Sequence, residues 1–317
     1  MPDLNNRPGG PNLIVTAKSA HKVQFLDAAT LTINTTIDMP GSTHELALSA
    51  DGRTAYGSVY GDGIFARRVD PDRRIVVIDL PSKSLTRVID LGAVYAPHGL
   101  MMAEDGTLWA TGELGHAVLA IDPESDAIQP VDVGATAHWL VISHANGKAF
   151  VSVKMDHLVV IDLASRAVTD RIKLPHAVEG IAVSPDGSTV YACAQTAAEL
   201  YVIDAATHAL RHAIPIEGAD GQKTQMRRVR VSPDNRYVLV SSNQDNHVAI
   251  YLADGLEQIA SFPVKKGPMG FGFAPDGRRA YVCCHDDAEM WEFELASGQV
   301  TRTVQTAAGC EFVVAYP

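Results

Sequence analysis

Residues 178–216 read VEGIAVSPDGSTVYACAQTAAELYVIDAATHALRHAIPI. Four short runs rich in Val, Ile, Ala and Tyr lie within this stretch: GIAVS, TVYACAQ, ELYVIDAA and ALRHAIPI. A Pro-Asp-Gly turn separates the first two runs. Short apolar runs separated by turn residues at regular intervals predict an antiparallel meander of four strands.

Copies of this unit recur along the 317-residue chain. When the copies are aligned on their first strands, the seven starting residues are His44, His98, His138, Glu179, Arg227, Met269 and Glu311. The spacings between successive starts are 54, 40, 41, 48, 42 and 42 residues. A period near forty with four strands per repeat predicts an all-β fold, a seven-bladed β-propeller of four-stranded antiparallel blades.

The seventh copy is divided between the two ends of the chain. The chain ends directly after a first strand, whereas residues 12–39 supply three further strands. Pairing these segments in one blade closes the ring and removes a free sheet edge. We therefore expect one domain over residues 1–317, with blades 1 to 6 at about 42–91, 96–133, 136–174, 177–216, 225–264 and 268–305, and blade 7 at 12–39 plus 309–317.

Repeated lines such as VIDLASRAVTDRI and VIDAATHALRHAI, together with YVCCHDDAEMWEF, resemble the YVTN-type repeats of seven-bladed propellers. The resemblance covers nearly the whole chain. It implies the propeller architecture, and through lactonase-like relatives it implies lactone chemistry as one activity among several. That family also includes binding proteins and surface proteins, so the activity must be argued from the site.

Composition restricts the partners. A net charge of -11 disfavours nucleic acid and anionic membranes, which require a basic surface. The N-terminus has no basic-then-apolar signal pattern, which favours a cytoplasmic location. Four cysteines in a chain of this length indicate buried free thiols in a reducing compartment: Cys193, Cys283, Cys284 and Cys310.

The residues that open the first strands are the first candidate site. Innermost strands converge on the axis of a propeller, so side chains there can meet. Neutral imidazoles and carboxylates are suitable ligands for zinc, manganese or iron. The sequence therefore predicts one divalent metal held by His44, His98, His138, Glu179 and Glu311.

Strand alternation opposes this prediction. His44 shares its side of the strand with Leu46, which should pack between blades. The inward orientation requires the strand entrance to turn the first residue toward the axis. Glu45 is the substitute ligand if the register shifts by one residue.

The ends of the second strands supply a second set of polar side chains around the same mouth: Lys18, Tyr60, Glu113, Lys154, Gln195, Ser242 or Asn243, and His285. Such a mouth can orient a small polar ligand. The catalytic candidates are His285, Arg227, Lys154, Tyr60 and Glu113. Arg227 is the expected clamp for a carboxylate or oxyanion, with Arg228 and Arg230 as alternatives, and His285 is favoured for acid–base work.

Two copies are markedly longer than the others, with spacings of 54 and 48 residues. Residues 61–74 form an expected loop between the second and third strands of blade 1, and residues 217–224 connect blades 4 and 5. Both should lie on the rim of the mouth, where long loops are candidate lids or substrate walls.

These features favour a metal-dependent enzyme that acts on a small, anionic substrate, possible chemistries being lactone or ester hydrolysis and lyase-type elimination. The substrate is expected to carry a carboxylate. The alternative is a non-catalytic propeller that binds a protein or a small ligand over one face.

Overall fold

The computed structural model describes residues 12–64, 67–195, 197–217 and 228–317, with only the backbone described at 64 and 67–69. In this part of the chain, 28 strands form seven four-stranded antiparallel sheets. This arrangement confirms the predicted seven-bladed β-propeller. No helix among the described residues is long and apolar enough to cross a membrane.

The chain begins with three strands of blade 7: β1 (Asn12–Ala17), β2 (Lys22–Asp27) and β3 (Ile33–Asp38). Blade 1 contains β4 (Thr43–Leu48), β5 (Thr54–Ile64), β6 (Arg67–Asp79) and β7 (Ser84–Asp90). Blade 2 contains β8 (Tyr95–Met102), β9 (Leu108–Leu114), β10 (Ala117–Asp122) and β11 (Ala127–Asp132). Blade 3 contains β12 (Trp139–Ser143), β13 (Lys148–Ser152), β14 (His157–Asp162) and β15 (Ala167–Lys173).

Blade 4, the repeat quoted first, contains β16 (Val178–Val183), β17 (Thr189–Ala194), β18 (Glu199–Asp204) and β19 (Leu210–Pro215). Blade 5 contains β20 (Arg228–Val231), β21 (Tyr237–Ser242), β22 (His247–Leu252) and β23 (Gln258–Pro263). Blade 6 contains β24 (Pro268–Phe273), β25 (Arg279–Cys284), β26 (Glu289–Glu294) and β27 (Val300–Gln305), and β28 (Cys310–Tyr316) returns to blade 7. Two short 3-10 turns lie at Lys18–Ala20 and His144–Asn146.

The two ends of the described chain meet in one sheet, as predicted. β28 pairs antiparallel with β1, in a register that runs from Asn12 opposite Tyr316 to Ala17 opposite Cys310. The sheet order is β28-β1-β2-β3. The C-terminal strand therefore provides the innermost strand of blade 7, and the ring closes through backbone hydrogen bonds.

The apolar residues are distributed over seven buried clusters, each between two neighbouring blades. Between blades 3 and 4, for example, Trp139, Phe150 and Leu158 pack with Ile181 and Tyr201. The outermost strands are largely exposed on both faces, as in β7 and β19. Burial between blades is thus the main source of stability, and it aligns the innermost strands around one axis.

In blades 1, 2, 4, 5 and 6, acidic turns join the first and second strands at the end of the blade that faces away from the candidate site. In blade 4, the Asp186 carboxylate accepts a hydrogen bond from the Ser188 amide at 2.9 Å. Gly187 adopts φ +74°, which glycine tolerates without strain. These contacts explain the Ser-Pro-Asp-Gly sequence of residues 184–187 as turn chemistry.

The prediction of a loop at residues 61–74 is wrong. β5 and β6 have 11 and 13 residues and continue the hairpin through this segment. Gly61 pairs with Pro71, and Asp62 pairs with Asp70. The ladder continues because Gly61 and Gly63 adopt φ values of +94° and +88°, which accommodate two irregularities in the register. Of the second insertion, only Glu217 lies within the described residues.

Candidate functional site

One mouth of the propeller opens into a cavity of about 880 Å³. Each blade contributes a residue from the start of its first strand to the wall: His44, His98, His138, Glu179, Arg228, Met269 and Glu311. We call these seven residues the first-strand ring. The structure therefore brings together all five residues that the sequence proposed as metal ligands.

In five of the seven blades, a β-bulge turns the ring side chain inward. In blade 1, Thr43 pairs with Val59 and Leu46 pairs with Gly57, so that His44 and Glu45 together face Ser58. Comparable shifts occur in blades 2, 4 and 6, and the pairing of β28 with β1 is shifted at Glu311. A bulge breaks the alternation of sides. His44 can therefore face the cavity while Leu46 packs between blades.

The three histidines form a row of adjacent rings, tilted by 46° from one to the next, which we call the histidine row. Ring centroids are 4.1 Å apart between His44 and His98, and 4.0 Å apart between His98 and His138. Burial lowers the pKa of His44 and His98 well below the usual range, and nearby cationic groups lower both further. These two imidazoles are therefore neutral at physiological pH, and each has a lone pair for a proton or a metal.

Carboxylates flank the histidine row at both ends. Oε1 of Glu311 lies 3.2 Å from Nε2 of His44, and Oε1 of Glu179 lies 3.5 Å from Nε2 of His138. Both glutamates are at most 5% exposed. The site is thus an arc of three imidazoles between two carboxylates, and its five residues come from five blades.

The second strands end around the same cavity. Six of the predicted residues line it: Lys18, Tyr60, Lys154, Gln195, Asn243 and His285. Glu113 does not form part of the lining and is 1% exposed. Its carboxylate instead accepts a hydrogen bond from the Tyr60 hydroxyl at 2.6 Å and contacts Nδ1 of His138. Glu113 therefore orients His138 from behind the wall, since its oxygens already have partners.

His285 lies nearer to solvent than the histidine row, with 23% of its side chain exposed. Its Nδ1 lies 2.8 Å from a carboxylate oxygen of Asp286. Its Nε2 lies 3.4 Å from the Ser19 hydroxyl and 3.5 Å from Oε2 of Glu311. A carboxylate on Nδ1 favours the tautomer whose Nε2 is the basic nitrogen.

Three basic side chains reach the cavity. Lys154 Nζ is 2.5 Å from Oε2 of Glu179, and Arg228 Nη2 is 3.6 Å from Oε1 of Glu311. Lys18 Nζ donates a hydrogen bond to the Gly63 carbonyl at 3.2 Å and lies 4.7 Å from the centre of the Tyr60 ring. Burial lowers the pKa of both lysines. Together the three groups can hold an anionic ligand close to the histidines.

Three side chains form a second layer behind the cavity wall and contact the wall residues: Trp139, Arg230 and Glu45. The Arg228 and Arg230 guanidinium groups lie 4.3 and 5.1 Å from the centre of the Trp139 ring, and that ring is 5.1 Å from the His98 ring. Arg230 also approaches Glu45 at 3.7 Å. Burial raises the pKa of Glu45 to about 7, although Arg230 and Arg228 oppose the shift. Sequence reasoning missed Trp139, although it occupies the position of Glu45 in the alignment of copies.

Two groups of possible metal ligands occur among the described residues, each with its donor atoms within 4.8 Å of one another. They are His44, Glu45 and His98, and His98, Glu113 and His138. Imidazole nitrogens with a carboxylate oxygen are a donor set that suits zinc, manganese or iron. The residues therefore fit such an ion at either of two positions, and His98 belongs to the ligand group of both. The ligand set with Glu179 and Glu311 stays a prediction.

Arg227, the predicted clamp, lies outside the described residues, as does most of the segment 217–224. Arg228 is the guanidinium that the structure places in the cavity wall. On the opposite side, Asp62 and Gly63 of the β5–β6 hairpin also form part of the wall. Asp62 accepts a hydrogen bond from the Ser42 hydroxyl at 2.8 Å and contacts His21 at 3.1 Å, which attaches the hairpin to blade 7.

Part of the chain matches a known family model. Residues 181–315 match the family described as "Lactonase, 7-bladed beta-propeller". The matched segment contains most of blade 4, all of blades 5 and 6, and most of β28. It begins two residues after Glu179, so the histidine row lies outside it. The YVTN designation stays a prediction.

Two curated proteins are related to this chain at low sequence identity. The chain is 26% identical to Antigen Lp49 of Leptospira interrogans over 275 residues, which are 78% of this chain and 56% of that protein. It is 27% identical to 6-phosphogluconolactonase of Klebsiella pneumoniae over 93 residues, 28% of each chain. The chain thus spans about half the length of the first relative and less than a third of the second.

Solved structures share the fold. The periplasmic gluconolactonase of Pseudomonas aeruginosa is 18% identical, with a TM-score of 0.81 over 97% of this chain and 99% of that one. Hydrazine synthase of Kuenenia stuttgartiensis is 17% identical, with a TM-score of 0.75 over 95% and 94%. At these identities the likeness establishes the architecture alone.

The ion pair of Lys154 with Glu179 gives a stability prediction. Lys154→Met leaves the buried Glu179 carboxylate without this ammonium, and the free energy of unfolding should fall by about 3 kcal/mol. Lys148→Met is the matched control in the same blade, because the Lys148–Asp162 pair is about one quarter exposed. Its cost should stay below about 1 kcal/mol. Urea denaturation measures both, and equal small losses would contradict the account.

Proposed function

We propose that the protein hydrolyses a lactone or ester of a small, anionic acid in the cavity. The observation that carries the proposal is the proximity of the histidine row, in which His44 and His98 are neutral, to three cationic side chains in one cavity: Arg228, Lys18 and Lys154. A cavity of about 880 Å³ is large enough for a small molecule. The family match and the relatives named as gluconolactonases support hydrolysis over elimination.

The residues in and behind the cavity wall suggest distinct roles in hydrolysis. Arg228 binds the substrate carboxylate or the developing oxyanion, because its planar fork matches two oxygens. His285 accepts a proton from the attacking water at Nε2, while Asp286 holds Nδ1. Water oxygen bonds to the acyl carbon, the acyl–oxygen bond breaks, and the leaving alkoxide takes the proton. Tyr60 and Glu113 act together in this scheme by holding His138.

A divalent metal is the further part of the proposal. His44, Glu45 and His98, or His98, Glu113 and His138, would hold it. When bound there, it would polarise the acyl oxygen and lower the pKa of a water molecule. Cytoplasmic location and a carboxylate on the substrate also remain proposals. A propeller that only binds a ligand or a protein is the alternative.

Turnover tests the reaction. Proton release from a panel of lactones, including aldonolactones with a carboxylate or phosphate, should show hydrolysis of at least one anionic member. Arg228→Met should raise KM by about 30-fold, since a charge-assisted contact contributes about 2 kcal/mol. Arg236→Met, in the same blade but on an exposed turn at the opposite end, is the control. An alkene chromophore that forms together with the released proton would indicate elimination, and ligand binding without turnover would favour the binding propeller.

Elemental analysis tests the metal. Protein purified without a histidine tag should contain about one equivalent of zinc, manganese or iron, which suits a mixed imidazole–carboxylate site. His98→Ala should abolish it, because His98 belongs to both ligand groups. His116→Ala is the control, since His116 is exposed and belongs to neither group. Absence of metal from the wild type after reconstitution would refute metal dependence and leave hydrolysis to be judged by turnover.

A further inference from the structure

The second strands carry a small polar residue directly behind the first-strand ring. Its copies in blades 7 and 1 to 6 are Thr16, Ser58, Thr111, Ser152, Cys193, Ser241 and Cys283. All seven are fully buried. The bulges of blades 1 and 2 face Ser58 and Thr111, so each hydroxyl lies at the point where the strand ladder is interrupted.

Three of these hydroxyls join neighbouring blades in the same way. Ser58 accepts a hydrogen bond from the Glu45 amide of its own blade at 3.1 Å and donates to the His98 carbonyl of the next blade at 2.9 Å. Thr111 accepts from the Gly99 amide and donates to the His138 carbonyl, both at 2.8 Å.

Ser152 repeats the arrangement one blade further. It accepts from the Trp139 amide at 3.2 Å and donates to the Glu179 carbonyl at 2.8 Å. We call Ser58, Thr111 and Ser152 the bridging hydroxyls. In each case the accepted hydrogen bond satisfies an amide beside a ring residue, and the donated one fixes the backbone of the next ring residue.

We propose that the bridging hydroxyls are positioning residues for the histidine row and Glu179. The proposal rests on the proposed function for its kinetic consequence, but its structural consequence is independent of any reaction. No bridging hydroxyl forms part of the cavity lining, so each would act only through the ring residues. Because each joins two blades, removing one should disturb the ring residues of both.

Two other hydroxyls extend the arrangement in part. Thr16 donates to the His44 carbonyl at 3.1 Å, and Ser241 donates to the Pro268 carbonyl beside Met269 at 3.1 Å. Carbonyls next to the ring thus accept hydroxyl hydrogen bonds at five blade boundaries. In blades 4 and 6 the position holds Cys193 and Cys283, whose thiols are weaker donors.

The chain offers a matched control at the opposite end of the same blade boundary. Ser143 is also fully buried, and its hydroxyl donates to the Gly187 carbonyl at 2.7 Å, again from blade 3 to blade 4. Ser152→Ala and Ser143→Ala therefore remove the same kind of interblade hydrogen bond. Only Ser152 lies behind the first-strand ring. At Ser143, the Asn146 amide also donates to the hydroxyl at 2.8 Å and to the Gly187 carbonyl at 2.9 Å.

Two readouts test the proposal. The ¹⁵N and ¹³C signals of the histidine rings report the positions of the imidazoles without any substrate. Steady-state kinetics on the best lactone report their use, and displacement of positioned groups should lower kcat about tenfold or more with little change in KM. Thr111→Val and its conservative counterpart Thr111→Ser form the second pair, because serine keeps the hydroxyl.

Ser152→Ala should shift the His138 signals and Thr111→Val should shift those of His98 and His138, whereas Ser143→Ala and Thr111→Ser should preserve the wild-type spectrum. Unchanged signals in Ser152→Ala, or equal shifts in Ser143→Ala, would overturn the proposal. If no lactone is hydrolysed by the wild type, the proposed function fails and the spectra still decide the role of the hydroxyls. Should Ser152→Ala not fold, Ser152→Cys, which keeps a weaker donor, should give intermediate shifts.

Discussion

The β-bulge at the start of the first strands is the constraint on which the site depends. In a regular antiparallel blade, His44 and Leu46 would lie on one side, and either the ring or the interblade core would be lost. With two residues opposite Ser58, His44 and Glu45 leave the alternation while Leu46 joins the core. The same device in four other blades lets one repeating scaffold carry different polar residues.

The charges around the cavity are nearly matched. Four buried carboxylates, those of Glu45, Glu113, Glu179 and Glu311, lie near four basic groups, those of Lys18, Lys154, Arg228 and Arg230. Burying so many charges is costly even when they are paired. The seven apolar clusters between blades offset this cost. Charged side chains are usually excluded from a protein interior. A cluster of buried charges held by a regular scaffold is therefore typical of a functional site.

The propeller fold and the first-strand ring could be predicted from the sequence. The period of the repeat is visible in the aligned copies, and it does not depend on how individual strand residues pair. Alignment of the copies places His44, His98, His138 and Glu179 at one position of the repeat. The side of the strand that each would face could not be deduced, since it depends on where the ladder is interrupted. Because the orientation of a side chain could not be deduced, the sequence predicted Glu113 in the cavity wall, whereas the structure places it behind His138. The bridging hydroxyls were readable as a column of Ser, Thr and Cys, but such residues are also common in strands that pack tightly.

A crystal structure with the hydroxy acid product of a lactone tests the central claim most directly. The account predicts the product within the first-strand ring, with its carboxylate about 3 Å from the Arg228 guanidinium and its body against the histidine row. Product bound only at another surface, or a cavity that stays empty at saturating concentration, would contradict it.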